Sequence, residues 1–261
     1  MPMSHLNESS MTTGQLEALQ IYHKSNTITS QNLSPSKNDP QKSFFMNDPP
    51  RSDNNQPERT RSFSLVNRSA ISYPISIINK KHEDIDLVDI DGYQKKIVKL
   101  SDDYNTISLT QVLDQGIWSL ESIFQTIEDE TTVHFSAIGI VQDSYDIPSD
   151  AAHCLQPHTA HMAAFTGLSY SGGVNHKEQD IYGNASFKEN QSLRLEFDSD
   201  KGTLVLFIDE VQQPVYVSGI KEKVRFIICM HYVGSSCLIR SLKKLPESTY
   251  ANIDSRKAVD W

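Results

Sequence analysis

Leu193-Arg-Leu-Glu-Phe-Asp198, Ser199-Asp-Lys-Gly202 and Thr203-Leu-Val-Leu-Phe-Ile208 follow one another without a gap and spell out a strand, a turn and a second strand. The first six residues alternate apolar and polar with a period of two, as a strand with one buried face does. In the next four, Asp200 offers a local side-chain acceptor and Gly202 is free to take a positive φ, so the chain reverses there. The last six form a second strand, and the whole is an antiparallel hairpin. Working outward, Ile75-Ser-Ile-Ile78, Thr106-Ile-Ser-Leu-Thr110 and residues 132–141, 224–230 and 236–242 read as further strands. In residues 132–141 the alternation sends Val133, Phe135 and Ala137 to one face and His134, Ser136 and Ile138 to the other. Strands recurring at roughly 8–12-residue intervals, with no long amphipathic helix between them, predict an all-β, antiparallel two-sheet β-sandwich. Trp118 and Phe207 read as core aromatics. Cys229 and Cys237, on two strands predicted to be neighbours, read as small packed hydrophobes.

The start of the chain has a different texture. Of the first 60 residues, 26 are Ser, Thr, Asn or Gln, and six of the eleven prolines lie among them. Such a segment buries too little apolar area to offset the entropy of ordering. The expected organisation is a disordered polar arm over 1–61, the sandwich over 62–245 and a C-terminal tail over 246–261. Residues 70–261 hold 18 of the 22 aromatics, enough for a core. They also carry a net −10 against +1 for residues 1–69. Phosphate contacts need Lys and Arg, so this balance argues against a nucleic-acid partner. No apolar run approaches a membrane helix and no h-region follows Met1, so no membrane partner is expected. Three cysteines are too few and odd in number for a disulfide framework. The expectation is a cytoplasmic protein with reduced thiols; the oligomeric state is not legible.

Gln115-Gly-Ile-Trp118, then Ala137-Ile-Gly-Ile140, then the hairpin 193–208 stand in an order that resembles the SPRY domain. In that family a G-x-W strand precedes an I-G-I/V strand, a Tyr/Gly-rich stretch and a long hairpin ending in N-G. Leu168-Ser-Tyr-Ser-Gly-Gly173 through Tyr182-Gly183 resembles the Tyr/Gly stretch. The family's G-D before the hairpin is Glu189-Asn190 here, and its N-G afterwards is Asp209-Glu210. The resemblance implies a concanavalin-like sandwich that is not an enzyme and needs no cofactor. It also implies a protein or peptide ligand held by loops at one edge. Those loops would be 143–148, the 150s to 160s and 170–182, with Asp143, Tyr145, Asp146, His158, Tyr170 and Tyr182 as the ligand-binding residues. A lectin-like carbohydrate binder is the alternative, since concanavalin-type sandwiches recur in sugar recognition.

Two other chemistries are suggested by the residues themselves. Glu196, Asp198 and Asp200 share one strand face, a spacing that glucanases of related fold use for an acid and a nucleophile. A solvated face running into an Asp-rich turn explains them without catalysis, because no sugar-stacking aromatic joins them. His153, Cys154, His158 and His161 form the one metal-like group, but His158-Thr-Ala-His161 is a residue shorter than the H-x₃₋₅-H spacing of zinc sites. No metal is expected there. There is no phosphate-binding glycine loop and no nucleophile elbow. Trp261 is an isolated indole that either frays or docks back onto the domain.

Overall fold

The computed structural model describes residues 69–125 and 135–261. The expectations for residues 1–61 and for 132–134 therefore lie outside the described residues. In chain order the strands are β1 (Ile71–Tyr73), β2 (Ile77–Ile78), β3 (Ile85–Asp89), β4 (Lys95–Lys99), β5 (Asn105–Leu109), β6 (Ile117–Gln125), β7 (Ser136–Gln142) and β8 (Met162–Thr166). They continue with β9 (Val174–His176), β10 (Gln179–Ile181), β11 (Leu193–Asp198), β12 (Thr203–Ile208), β13 (Val211–Gln212), β14 (Val215–Ser218), β15 (Val224–Met230), β16 (Ser236–Leu245) and β17 (Lys257–Asp260). Ten form one sheet in the order β17-β14-β12-β11-β6-β16-β4-β3, with β1 also on β16 and β13 also on β12. Seven form the other, β10-β9-β8-β7-β15-β5-β2. No helix among the described residues is long and apolar enough to cross a membrane.

The hairpin reading holds residue by residue. β11 and β12 pair antiparallel from Leu193↔Ile208 to Asp198↔Thr203, and Gly202 has φ +61°. The side-chain acceptor of the turn is Asp198 rather than Asp200: its Oδ1 takes the backbone N–H of Asp200 and of Lys201, each at 3.1 Å. Leu195, Phe197, Leu204 and Leu206 point inward, where they meet Ile107, Ile138, Phe165 and Phe226 of the opposite sheet in one apolar cluster. Two sheets facing each other across a shared core make the expected sandwich. Trp118 belongs to that core, 2% exposed, with its indole N–H on Gln115 O at 3.0 Å.

Other expectations are corrected. Phe207 is buried, but on the outer face of its sheet, where the Arg194 guanidinium lies 3.7 Å from its ring centroid. Cys229 and Cys237 are buried but not on neighbouring strands, because residues 231–235 carry the chain from the seven-stranded sheet to the other. The face bearing Glu196 and Asp198 is not solvated. Glu196 is fully buried beneath residues 248–249: its carboxylate accepts from Ser248 Oγ (2.8 Å), Thr249 N (2.9 Å), Thr249 Oγ1 and Arg194 Nη1 (3.1 Å). Nor does the sheet end at residue 245. The chain beyond crosses its outer face, and β17 adds beside β14 in parallel, Val215↔Lys257 to Ser218↔Asp260. A short strand reading Lys-Ala-Val-Asp carries no alternation strong enough to announce that pairing.

Candidate ligand-binding face

One end of the sandwich collects the termini of several strands. Gln142 closes β7 and pairs with Val224, the first residue of β15. Met162 opens β8 beside Val141, His176 closes β9, and Ser218 pairs with Asp260 where β14 and β17 end. From Gln142 the chain wraps over the outer face of the seven-stranded sheet, where Ile147 and Ala151 pack on Ala137, Val141, Met162 and Ala164. Apolar residues on both faces of β7 and β8 make that wrapping favourable. Arg225 fixes its first turn. The guanidinium donates to the carbonyls of Asp143 (3.2 Å) and Tyr145 (3.1 Å), to Ser108 Oγ (3.1 Å), and pairs with the Asp143 carboxylate at 3.2 Å.

Two aromatic stacks stand on this end, joined by hydrogen bonds. Tyr145 lies parallel to His161, centroids 4.1 Å apart, and its hydroxyl is 2.8 Å from His158 Nδ1. Gln142 Nε2 donates to Glu222 Oε1 at 2.9 Å, which turns Gln142 Oε1 toward His161 Nδ1, 2.7 Å away, as acceptor. The same Glu222 oxygen accepts the Trp261 indole N–H at 2.5 Å. Trp261 in turn stacks on His176, 5° from parallel, while its backbone N–H donates to Ser218 O at 2.9 Å. His176 Nδ1 donates to Met162 O at 3.0 Å, leaving Nε2 buried without a partner. Beside the Trp261–His176 stack lies a cleft of about 240 Å³ bordered also by Gln142, Lys177, Lys221 and Glu222. Burial raises the Tyr145 pKa, and burial lowers those of His158 and His176, which favours the neutral form of each of these two imidazoles.

The six expected binding residues divide between the two ends. Asp143, Tyr145 and His158 are half-buried here, and Asp146 is exposed, ion-paired with Lys80. Tyr170 follows β8 at the far end and is buried, 8% exposed, edge-on to Phe135 and His153, with its hydroxyl 3.5 Å from Cys154 Sγ. Its ring is packed, whereas Leu168 and Ser171 of the same turn are exposed. Tyr182 is exposed at the same far end, beyond β10. The His/Cys group separates likewise: His158 and His161 flank Tyr145, whereas His153 and Cys154 face Tyr170. Sequence reasoning missed Gln142, His176, Lys177, Lys221 and Glu222. They come from strand ends distant in sequence, and no local motif marks them; the docking of Trp261 was one of its two readings.

No protein-family model matches this chain, and no curated protein matches it in sequence. Solved structures resemble it in shape. The TRIM65 PSpry domain is 10% identical with a TM-score of 0.48, the match covering 64% of this chain and 92% of that one. The SPRY domain of human HERC1 is 11% identical, TM-score 0.44, over 64% of this chain and 98% of that one. Lectin I-B4 from Griffonia simplicifolia is 10% identical, TM-score 0.43, over 70% and 94%. The likeness is one of fold alone.

Proposed function

We propose that the domain is a non-catalytic binding module that holds a protein or peptide segment on the Tyr145–Trp261 end face, as an adaptor or targeting subunit would. The observation that carries this reading is the cleft beside the Trp261–His176 stack, with Glu222 and Gln142 tying it to the neighbouring Tyr145–His161 stack. Stacked rings with fixed polar edges offer contact area at little cost in side-chain entropy, because they are already ordered. Asp143, Tyr145, Asp146 and His158 lie on or beside that face and retain their proposed binding role; Tyr170 and Tyr182 drop out of it. Glu196 supports the non-catalytic reading, since both its oxygens are committed to residues 194, 248 and 249. Peptides selected by display against the full chain should lose about tenfold or more in affinity on Tyr145→Ala and on Trp261→Ala, as for aromatic anchors at an interface. Unchanged affinity in both variants would remove the face from consideration.

A carbohydrate is the second reading, favoured by the polar lining of the cleft beside a stacked indole. A glycan array decides between them. Glycan binding that disappears in Trp261→Ala, with no peptide selected, would establish the sugar.

A further inference from the structure

We infer that the segment taken by this face is acidic, and that the cleft beside Trp261 receives a carboxylate side chain of an extended peptide between Lys177 and Lys221; this rests on the binding-module reading above. Two lysines at this cleft lack an ionic partner among the described residues. Residues 70–261 carry a net −10, and several lysines in them sit against carboxylates: Lys81 on Asp103 (3.0 Å) and Asp150 (2.9 Å), Lys201 on Asp198 (3.3 Å), Lys223 on Asp114 (3.9 Å). Lys177 and Lys221 border the cleft, and neither forms an ion pair among the described residues. The carboxylate that shares the cleft with them, Glu222, accepts Gln142 Nε2 and Trp261 Nε1 on its Oε1 and forms no ion pair with either lysine. Glu178, next along the chain from Lys177, is held by Gln156.

Both lysines spring from anchored turns. His176 pairs with Gln179 across a two-residue reversal in which Lys177 (φ 47°) and Glu178 (φ 63°) are left-handed, and Lys177 N donates to Thr159 O at 2.9 Å. Lys221 follows Ile220, whose N–H donates to Gly202 O at 3.1 Å. Two ammonium groups beside an aromatic wall attract an anion, and a carboxylate oxygen accepts from both; a basic segment would be repelled there and a neutral one gains nothing.

The test is a phage-display selection of random peptides on the full chain, followed by titration of the best peptide. We expect enrichment in Asp and Glu. Lys177→Glu/Lys221→Glu should then weaken the selected peptide about tenfold or more, whereas Lys243→Glu/Lys257→Glu, the same charge change away from the cleft, should leave it within about twofold. Rising salt should weaken the wild-type complex and flatten the difference. Neutral or basic peptides that depend on Trp261 but ignore the Lys177/Lys221 reversal would overturn the acidic assignment and leave the binding module standing. A phosphoserine version binding more than about tenfold tighter than the acidic peptide would overturn the carboxylate in favour of a phosphate. No selected peptide at all would overturn both readings.

Discussion

His153 is 1% exposed and edge-on to Tyr170; burial, only partly offset by Asn175, pushes its pKa from 6.5 down to about 4. In the unfolded chain it would protonate near 6.5, so between pH 6.5 and 4 the unfolded state holds more protons than the folded one. Stability contributed by the neutral ring is therefore complete above about 6.5 and is lost as pH falls through that window, by about 3 kcal/mol for a shift of this size. Chemical denaturation of wild type and His153→Gln at pH 7.5, 5.5 and 4.5 should show a smaller loss in the variant; parallel curves would exclude His153 as the source. Glu196 is the second residue whose worth can be measured. Truncating it to Ala leaves Arg194 and the hydroxyls of Ser248 and Thr249 without their shared acceptor, and about 3–5 kcal/mol should go. Trp118→Ala should cost a similar 3–5 kcal/mol by emptying core volume. Phe207→Ala probes something else, the stacking of Arg194 on an outer face, and should cost less than Trp118→Ala.

At the scale of elements, the β11–β12 hairpin shows why some of the fold was legible. Alternation in 193–198 sorts side chains to two faces because consecutive strand residues point oppositely, and Gly202 marks the reversal because its φ is left-handed. A Cβ built there would stand 2.3 Å from Ile220 O, so Gly202→Val should lower the denaturation midpoint by the equivalent of about 2 kcal/mol or more. A wild-type midpoint would mean the turn relaxes freely. Gly139 is required for a different reason: a Cβ on it would lie 2.0 Å from Ala163 O, and only a bare backbone lets β7 and β8 approach. The Asp209-Glu210 departure from the N-G pattern preserves the turn, since both residues are left-handed (φ 48° and 62°) and Asp209 accepts from Ser192 N and Gln191 Nε2. Pairings between distant strands were not legible. Alternation reports which face a residue takes and is silent about which strand lies beside it, so the separation of Cys229 from Cys237 and the parallel β14–β17 pair had no local trace. The proposed binding face had the same fate, with Tyr145 and His158 readable in one loop and His176, Glu222 and Trp261 brought to them only by the fold.

For the whole molecule, the two terminal segments should behave oppositely. The polar composition of residues 1–61 predicts that a chain beginning at residue 62 melts within a few degrees of the full protein. Ending the chain at residue 245 removes β17, uncovers Glu196 and takes away the Gln212–Ala251 pair of hydrogen bonds and the Arg256 stack on Tyr216. That truncation should lower the melting temperature by about 10 °C or more, given several kcal/mol lost from a domain of this size. Scanning calorimetry of both fragments checks the contrast. A harmless truncation at 245 would show that the crossing segment is an ornament on a sheet complete without it.

The position of β16 in its sheet has a consequence for synthesis. It lies between β6 and β4, pairing Cys237 with both Phe124 and Ile97, although those partners precede it by more than a hundred residues. A ribosome delivers the middle of this sheet after most of its flanks, so β4 and β6 wait with open edges while the intervening chain is made. Vectorial growth therefore gives the nascent protein an interval of exposed strand during which holding chaperones would have most to shield. Few native pairings across the sheet centre can form until β16 emerges, and refolding from denaturant should be slow for the same topological reason.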